Sequence, residues 1–233
     1  ILDRKIKDYL PSGEINKAFY DMMEKSYDIL KDHPVNIARF KRGLKPANSI
    51  WLWGEGKKPS LPLFEEKYGI KGSVISAVDL IKGIGICAGL KSIDVEGATG
   101  NIHTNFDGKA QAALDELLSG QDFVYVHLEA PDECGHRHEI ENKVKSIELI
   151  DEKVVGTLLK GLERYDDYKI MIIPDHPTPL SLRTHTSDPV PFAIYQKTRS
   201  QASGIESYDE STGALTGVLI EEGHTLMDRF IRD

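Results

Sequence analysis

"DFVYVHLEAPDECGH", residues 122–136, joins a run of β-branched and aromatic residues to an aspartate and, four positions later, a histidine. The apolar run reads as a buried strand. On a helical turn, the spacing of Asp132 and His136 puts both side chains on one face. The arrangement recurs downstream. "YKIMIIP", residues 168–174, runs straight into "DHPTP", residues 175–179, and "THTSDPVPF", residues 184–192, follows with His185 inside it. Two strands therefore end in Asp/His pairs. Open α/β sheets carry their ligands beyond the carboxyl ends of the strands. The two clusters are thus expected to face one another across a single crevice.

The surrounding pattern supports such a sheet. "GSVISAV" (72–78) and "PFAIYQ" (191–196) read as further strands, and "DLIKGIGICAGL" (79–90) as a glycine-interrupted helix or loop. "GKAQAALDELLSG" (108–120) has strong helix propensity, "ENKVKSIELIDEKVVGTLLKGLERY" (141–165) is a long amphipathic helix, and "EEGHTLMDRFI" (221–231) closes the chain as a helix. Strands alternating with helices predict an α/β sheet with parallel pairs. At the front, apolar spacing predicts a helix over about 13–31. Residues 34–49, rich in Pro, Asn and basic side chains, predict a loop, and "IWLWGEGKKPS" (50–60) a short strand running into a turn.

Composition narrows the function classes. The chain has 233 residues, is 40% hydrophobic, and carries a net charge of −8. Nothing basic enough to neutralise a phosphate backbone is present, so nucleic acid is not an expected partner. No apolar run reaches the roughly 20 residues a bilayer requires, so no membrane partner is expected. Two cysteines, Cys87 and Cys134, are too few for a disulfide framework and fit a cytoplasmic setting.

Asp132, His136, Asp175, His176 and His185 form a mixed oxygen and nitrogen donor set. It suits Mn²⁺ or Zn²⁺ better than Ca²⁺, which takes oxygen, or an iron–sulfur cluster, which takes thiolate. Five donors exceed one four-coordinate site and point to two metals, the arrangement that clamps both oxygens of a phosphoryl displacement. The adjacent pair Asp175 and His176 suits a turn where neighbouring side chains diverge. His33, His127 and His224 read as structural, and His138 points away from the set. "WGEGKKP" fails the phosphate-loop template, since Trp51 stands at the first glycine position and Pro59 follows the lysines. Arg39, Lys41, Arg42 and Lys45 read as a solvated face, or as a steering patch beside an anionic substrate.

"DFVYVHLEAPDECGH", "PDHPTP" and "THTSDPVPF" together resemble the 2,3-bisphosphoglycerate-independent phosphoglycerate mutases of the archaeal type, within the alkaline phosphatase superfamily. "HPVN", "PANSIWLWGEG", "GSVISAVDLIKGIG" and "GATGNIHTNFDGKA" resemble the same family. The resemblance implies an alkaline-phosphatase-like α/β sheet with helices on both faces, in residues 59–233. Residues 1–58 would be the remaining part of an inserted α/β domain on the substrate side. It further implies two Mn²⁺ or Zn²⁺ ions and a transiently phosphorylated serine, with phosphate moving between the 3- and 2-hydroxyls of glycerate. Asp132, His136 and His185 resemble the ligands of one metal, and Asp175 and His176 those of the other. Lys82 resembles a lysine that holds the phosphoryl group near the nucleophile. Trp53, Gly54 and Gly56 stand where the inserted domain approaches substrate.

Such enzymes carry a metal-binding Asp in a "GDG"-like segment and a nucleophilic Ser after it, and neither motif is recognisable here. The resemblance thus implies a C-terminal portion of a longer enzyme, inactive alone and holding at most one metal tightly. Alternatives are a homoserine-kinase-like or phosphatase activity of the same superfamily, or a non-catalytic fragment.

Overall fold

In the computed structural model, which describes residues 5–54 and 56–232, the chain forms two compact units, Ile1–Pro59 and Ser60–Asp233.

In the first unit a 3₁₀ turn, Glu14–Asn16, leads into α1, Lys17–Leu30, which buries Met23 and Ser26. Residues 34–49 are not all loop, as their composition predicts: α2 spans Pro34–Lys41. Proline suits a first helical position because its missing N–H would be unsatisfied there anyway. His33 Nδ1 accepts from the Val35 N–H at 3.3 Å, and Arg39 and Lys41 stand in the last turn, where the helix dipole favours cations. Buried Asn36 closes the unit: its amide donates to the carbonyls of Leu30 (2.7 Å) and Ala47 (2.9 Å) and accepts from the Ala47 N–H. The expected strand over 50–53 does not form. Among the described residues it has no ladder partner, and Trp51 and Trp53 stack on each other at 5.6 Å instead. A cavity of about 280 Å³ lined by Tyr9, Phe19, Trp53 and Gly54, among others, lies beside them.

The second unit opens with α3, Phe64–Tyr68, and β1, Gly72–Ile75, whose four residues are all buried. Next come α4, Asp79–Cys87, β2, Lys91–Ile93, α5, Phe106–Leu118, and β3, Phe123–Val126. β1 is the centre of a parallel three-stranded sheet in the order β2-β1-β3, with Ser73 opposite Lys91 on one side and Val124 on the other. α4 presses against β1 closely enough that a Cβ on Gly85 would meet Val74 Cγ1 at 2.5 Å, so only glycine fits there. The expected strand of 72–78 thus stops at Ile75, and the glycine-rich stretch after it is helical.

α6, Ala130–Arg137, follows β3 directly, and then one long helical run. Its pieces are α7, Ile140–Leu149, a π turn over Ile150–Val155, and α8, Gly156–Leu162. Phe106, Ala110, Ala130 and Val154 form a core cluster where α5, α6 and the π turn meet, with Val126, Leu128 and Leu158 packed against it. β4, Lys169–Ile172, and β5, Ala193–Gln196, pair antiparallel in their own two-stranded ladder, so the parallel pairing expected from alternation is confined to β1–β3. α9, Glu210–Leu215, and α10, Leu226–Arg232, finish the chain. No helix among the described residues is long and apolar enough to cross a membrane.

Candidate metal centre

α5 packs against β3 at the base of the site. α5 buries Phe106, Lys109, Ala110, Ala113 and Glu116, an inward face that includes a lysine. Lys109 is fully buried, and its Nζ donates to the His127 carbonyl at 3.0 Å, just past the end of β3. Burial lowers its pKa to about 8. The His127 N–H donates to Ile75 O at 2.8 Å, prolonging the parallel ladder by one step before the chain turns into α6.

α6 begins at Ala130 with Pro131 in its first turn and carries Asp132 and His136 one turn apart, with His136 Nε2 3.4 Å from Asp132 Oδ2. The helix ends at His138, which takes the left-handed backbone conformation (φ 58°) and sends Nδ1 to the Leu180 carbonyl at 2.7 Å. A carbonyl only accepts, so this imidazole donates, and the contact ties His138 to the 180–183 loop.

His136 is held in the same way. Its Nδ1 lies 2.9 Å from the Arg183 carbonyl, so Nδ1 donates and, in the neutral ring, Nε2 keeps its lone pair. That free nitrogen points at His185 Nε2, 3.0 Å away. Arg183 itself sits at φ 54°, a conformation non-glycine residues rarely hold, with its N–H on Pro179 O at 2.8 Å. The tight turn aims its carbonyl at His136. A ring N–H given to a backbone carbonyl is the usual outer support of a metal-binding histidine.

The loop after β4 brings the remaining groups. His185 Nε2 lies 3.4 Å from Asp132 Oδ1, and the His176 ring stacks on His185 with centroids 3.7 Å apart. His176 Nε2 is 3.4 Å from Asp175 Oδ2. All five expected donors thus come from the ends of β3 and β4, joined through Asp132, His136, His185 and His176, with exposed Asp175 reaching the group through His176. An oxygen of Asp132 and ring nitrogens of His176 and His185 lie within 4.8 Å of one another, and this mixed donor set fits a divalent ion. The structure draws His176 into the Asp132 and His185 group, whereas the family resemblance divides the five into two sets.

Lys82 is engaged elsewhere, its Nζ pairing with Asp94 Oδ1 at 2.6 Å. Trp53 is exposed, and Gly54 takes a positive φ of 68°; both belong, with Gly56, to the first unit. His103 donates its backbone N–H to Asn101 Oδ1 at 2.9 Å.

Four groups absent from the expected set complete the site. Glu129 and Glu133 bring their carboxylates within 4.8 Å of Asp132. Burial first, then the charges of Glu133 and Asp132, raise the Glu129 pKa. Glu129 Oε2 lies directly over Gly100, so a side chain there would have to push the Glu129 carboxylate aside. Buried Thr178 donates its hydroxyl to Asp132 Oδ1 in a short hydrogen bond. Lys109 is the fourth. The one signal available beforehand was the stripe Phe106, Ala110 and Ala113 on α5, which passes through Lys109.

The sequence matches the family described as the Metalloenzyme superfamily over residues 15–230. It is 48% identical, over 99% of its length, to a protein of Geobacter sulfurreducens named as a probable 2,3-bisphosphoglycerate-independent phosphoglycerate mutase. It is 49% identical, over 97% of its length, to the 2,3-bisphosphoglycerate-independent phosphoglycerate mutase of Methanothrix thermoacetophila. The chain spans 58% of the length of each of these relatives. Among solved structures it is similar to a Pyrococcus horikoshii protein (TM-score 0.72, 31% identity, 88% of this chain and 53% of that one). It is also similar to the cofactor-independent phosphoglycerate mutase of Thermoplasma acidophilum (TM-score 0.55, 26% identity, 94% and 51%). The fold is accordingly the alkaline-phosphatase-like α/β architecture. The donor cluster at the ends of β3 and β4 lies wholly within the matched span, and the chain belongs to the metalloenzyme superfamily.

Proposed function

We propose that this chain is the metal-holding portion of a phosphoglycerate mutase that interconverts 3-phosphoglycerate and 2-phosphoglycerate through a phosphoserine. The observation that carries the reading is the convergence of Asp132, His136, His176 and His185 in a chain 48–49% identical to proteins named as such mutases. Asp132, His136 and His185 would hold one Mn²⁺ or Zn²⁺ ion, and Asp175 and His176 would contribute to a second. When bound, such ions supply positive charge to a transferring phosphoryl group and lower the pKa of an attacking hydroxyl.

The chain's own residues do the rest. Arg183 and Thr178 orient His136 and Asp132 from behind, and Lys109 holds the end of β3 that feeds α6. The seryl nucleophile lies, on this reading, in the part of the relatives that this chain does not span, and this chain alone turns over no phosphoglycerate. Lys82 and the Trp53–Gly56 segment are the proposed substrate-side groups, and the setting is cytoplasmic. Two donors rarely hold a divalent ion when catalytic sites supply three, so this chain binds at most one ion tightly.

The test is a coupled assay of the complete gene product for conversion of 3- to 2-phosphoglycerate with Mn²⁺ supplied. Turnover that disappears in Asp132→Asn and His136→Ala supports the reading. A complete, folded, Mn²⁺-loaded product without turnover rejects it.

A further inference from the structure

Thr178 is 4% exposed and is held from three sides. Its carbonyl accepts from Lys143 Nζ at 2.9 Å. Gly135, between Asp132 and His136 on α6, is pressed against it: a Cβ there would meet Thr178 O at 2.5 Å and Cγ2 at 2.8 Å. Its hydroxyl has two neighbours, Asp132 Oδ1 in the short hydrogen bond and His176 Nδ1 at 3.3 Å.

A hydroxyl has one proton to give and lone pairs to accept with. The Asp132 carboxylate only accepts, so the proton is committed to it. The second contact is then a hydrogen bond only if His176 Nδ1 carries the hydrogen and donates to Thr178 Oγ1. In a neutral imidazole this leaves the lone pair on Nε2. Nε2 is the atom that faces Asp175 Oδ2 at 3.4 Å, so two electron-rich atoms are set side by side, an arrangement that calls for a cation between them.

We propose that Thr178 is a positioning residue whose single hydroxyl locks His176 in its Nδ1–H tautomer while fixing Asp132. One side chain thereby prepares a donor from α6 and a donor from the loop after β4. The metal-binding role of these donors rests on the proposed function; the tautomer does not.

The loss of the hydroxyl frees both partners. In Thr178→Val, His176 Nδ1 has no acceptor at this position, and the ring is expected to move toward the Nε2–H form, which can donate to Asp175. Thr178→Ser keeps the hydroxyl and should behave as the parent does.

The experiment uses the full chain with ¹⁵N-labelled histidine. Long-range ¹H–¹⁵N spectra are recorded at alkaline pH, where imidazoles are neutral, with His176 assigned by the signal lost in His176→Gln. The result expected is an Nδ1–H ring in the parent and in Thr178→Ser, and a shift to Nε2–H in Thr178→Val. Zn²⁺ titration of the same proteins should give an affinity about 10- to 100-fold weaker for Thr178→Val, with Thr178→Ser near the parent value. Thermal melts of both variants accompany the spectra. An Nε2–H ring in the parent, a ring unchanged in Thr178→Val, or Zn²⁺ affinity equal in Thr178→Val and the parent overturns the proposal. A parent that binds no Zn²⁺ rejects the metal reading and its positioning role, and the spectra alone then decide the tautomer.

Discussion

His136 and His185 bring their Nε2 atoms to 3.0 Å from each other across the junction of α6 and the loop after β4. The Arg183 carbonyl takes the only proton of a neutral His136, so its Nε2 faces His185 as a bare lone pair. The contact is thus held together by a hydrogen from His185 or by a cation that both rings share. Asp132 supplies the negative charge on the same side, 3.4 Å from each ring nitrogen.

Gly135 lets α6 approach Thr178, and replacing it with alanine tests that approach. The added methyl collides with the Thr178 backbone and Cγ2, so α6 and the 175–179 loop must separate. Gly135→Ala is expected to cost about 1–3 kcal/mol of stability and to weaken divalent-ion binding more than tenfold, read by thermal melts and calorimetry. Affinity equal to the parent's would mean that the spacing of α6 from the loop is immaterial to the site.

Glu116 joins three elements of the sheet layer, accepting from Ser73 Oγ at 2.6 Å and from Lys91 Nζ at 2.8 Å. Burial opposes its charge, but the bonds to Lys91 and Ser73 outweigh burial and hold its pKa below the ordinary carboxylate value. A carboxyl whose folded pKa is depressed stabilises the protein above its unfolded pKa, and that contribution is lost as pH falls through the folded one. Glu116→Gln should therefore cost about 1–3 kcal/mol near neutrality, and its melting curve should converge on the parent's below about pH 4. A difference independent of pH would show that shape, and not charge, matters there.

Lys109 shifts in the same direction for a different reason, because burial disfavours its charged form. Its folded pKa of about 8 lies below the ordinary lysine value, so between about pH 8 and pH 10 the unfolded chain holds more protons than the folded one. Stability from this residue should rise with pH across that window. Relative to Lys109→Met, the parent should gain melting temperature on going from pH 8 to pH 10, a difference that cancels the titration of other groups. A parent that loses ground to the variant over this range would show that Lys109 stays charged and paired when buried.

Much of this was legible in the residues, and the exceptions share a cause. β1, β3 and β4 lie within short stretches rich in apolar and β-branched side chains, which identify them without a partner. β2 is the short "KSI", whose strand character comes from pairing with β1. Residues 50–53 are apolar enough for a strand, yet without a neighbouring ladder the two tryptophans stack instead. α2 hides behind a proline that is a helix start when a capping side chain, here His33, precedes it. At the site, Asp132 and His136 announce themselves by a local spacing. Thr178, the Arg183 carbonyl and Lys109 act only through contacts between segments far apart in sequence, which no local pattern encodes.

The most direct measurement is a calorimetric titration of this chain with Mn²⁺ and Zn²⁺. At most one tight site per chain is expected, built on Asp132, His136 and His185 and abolished by His136→Ala or by His185→Ala, with the fold retained by circular dichroism. Asp175→Asn should leave that tight site in place, because Asp175 is exposed and its ring contact is with His176, outside the Asp132, His136 and His185 set. Two tight sites, or one site indifferent to both histidine substitutions, would contradict that assignment.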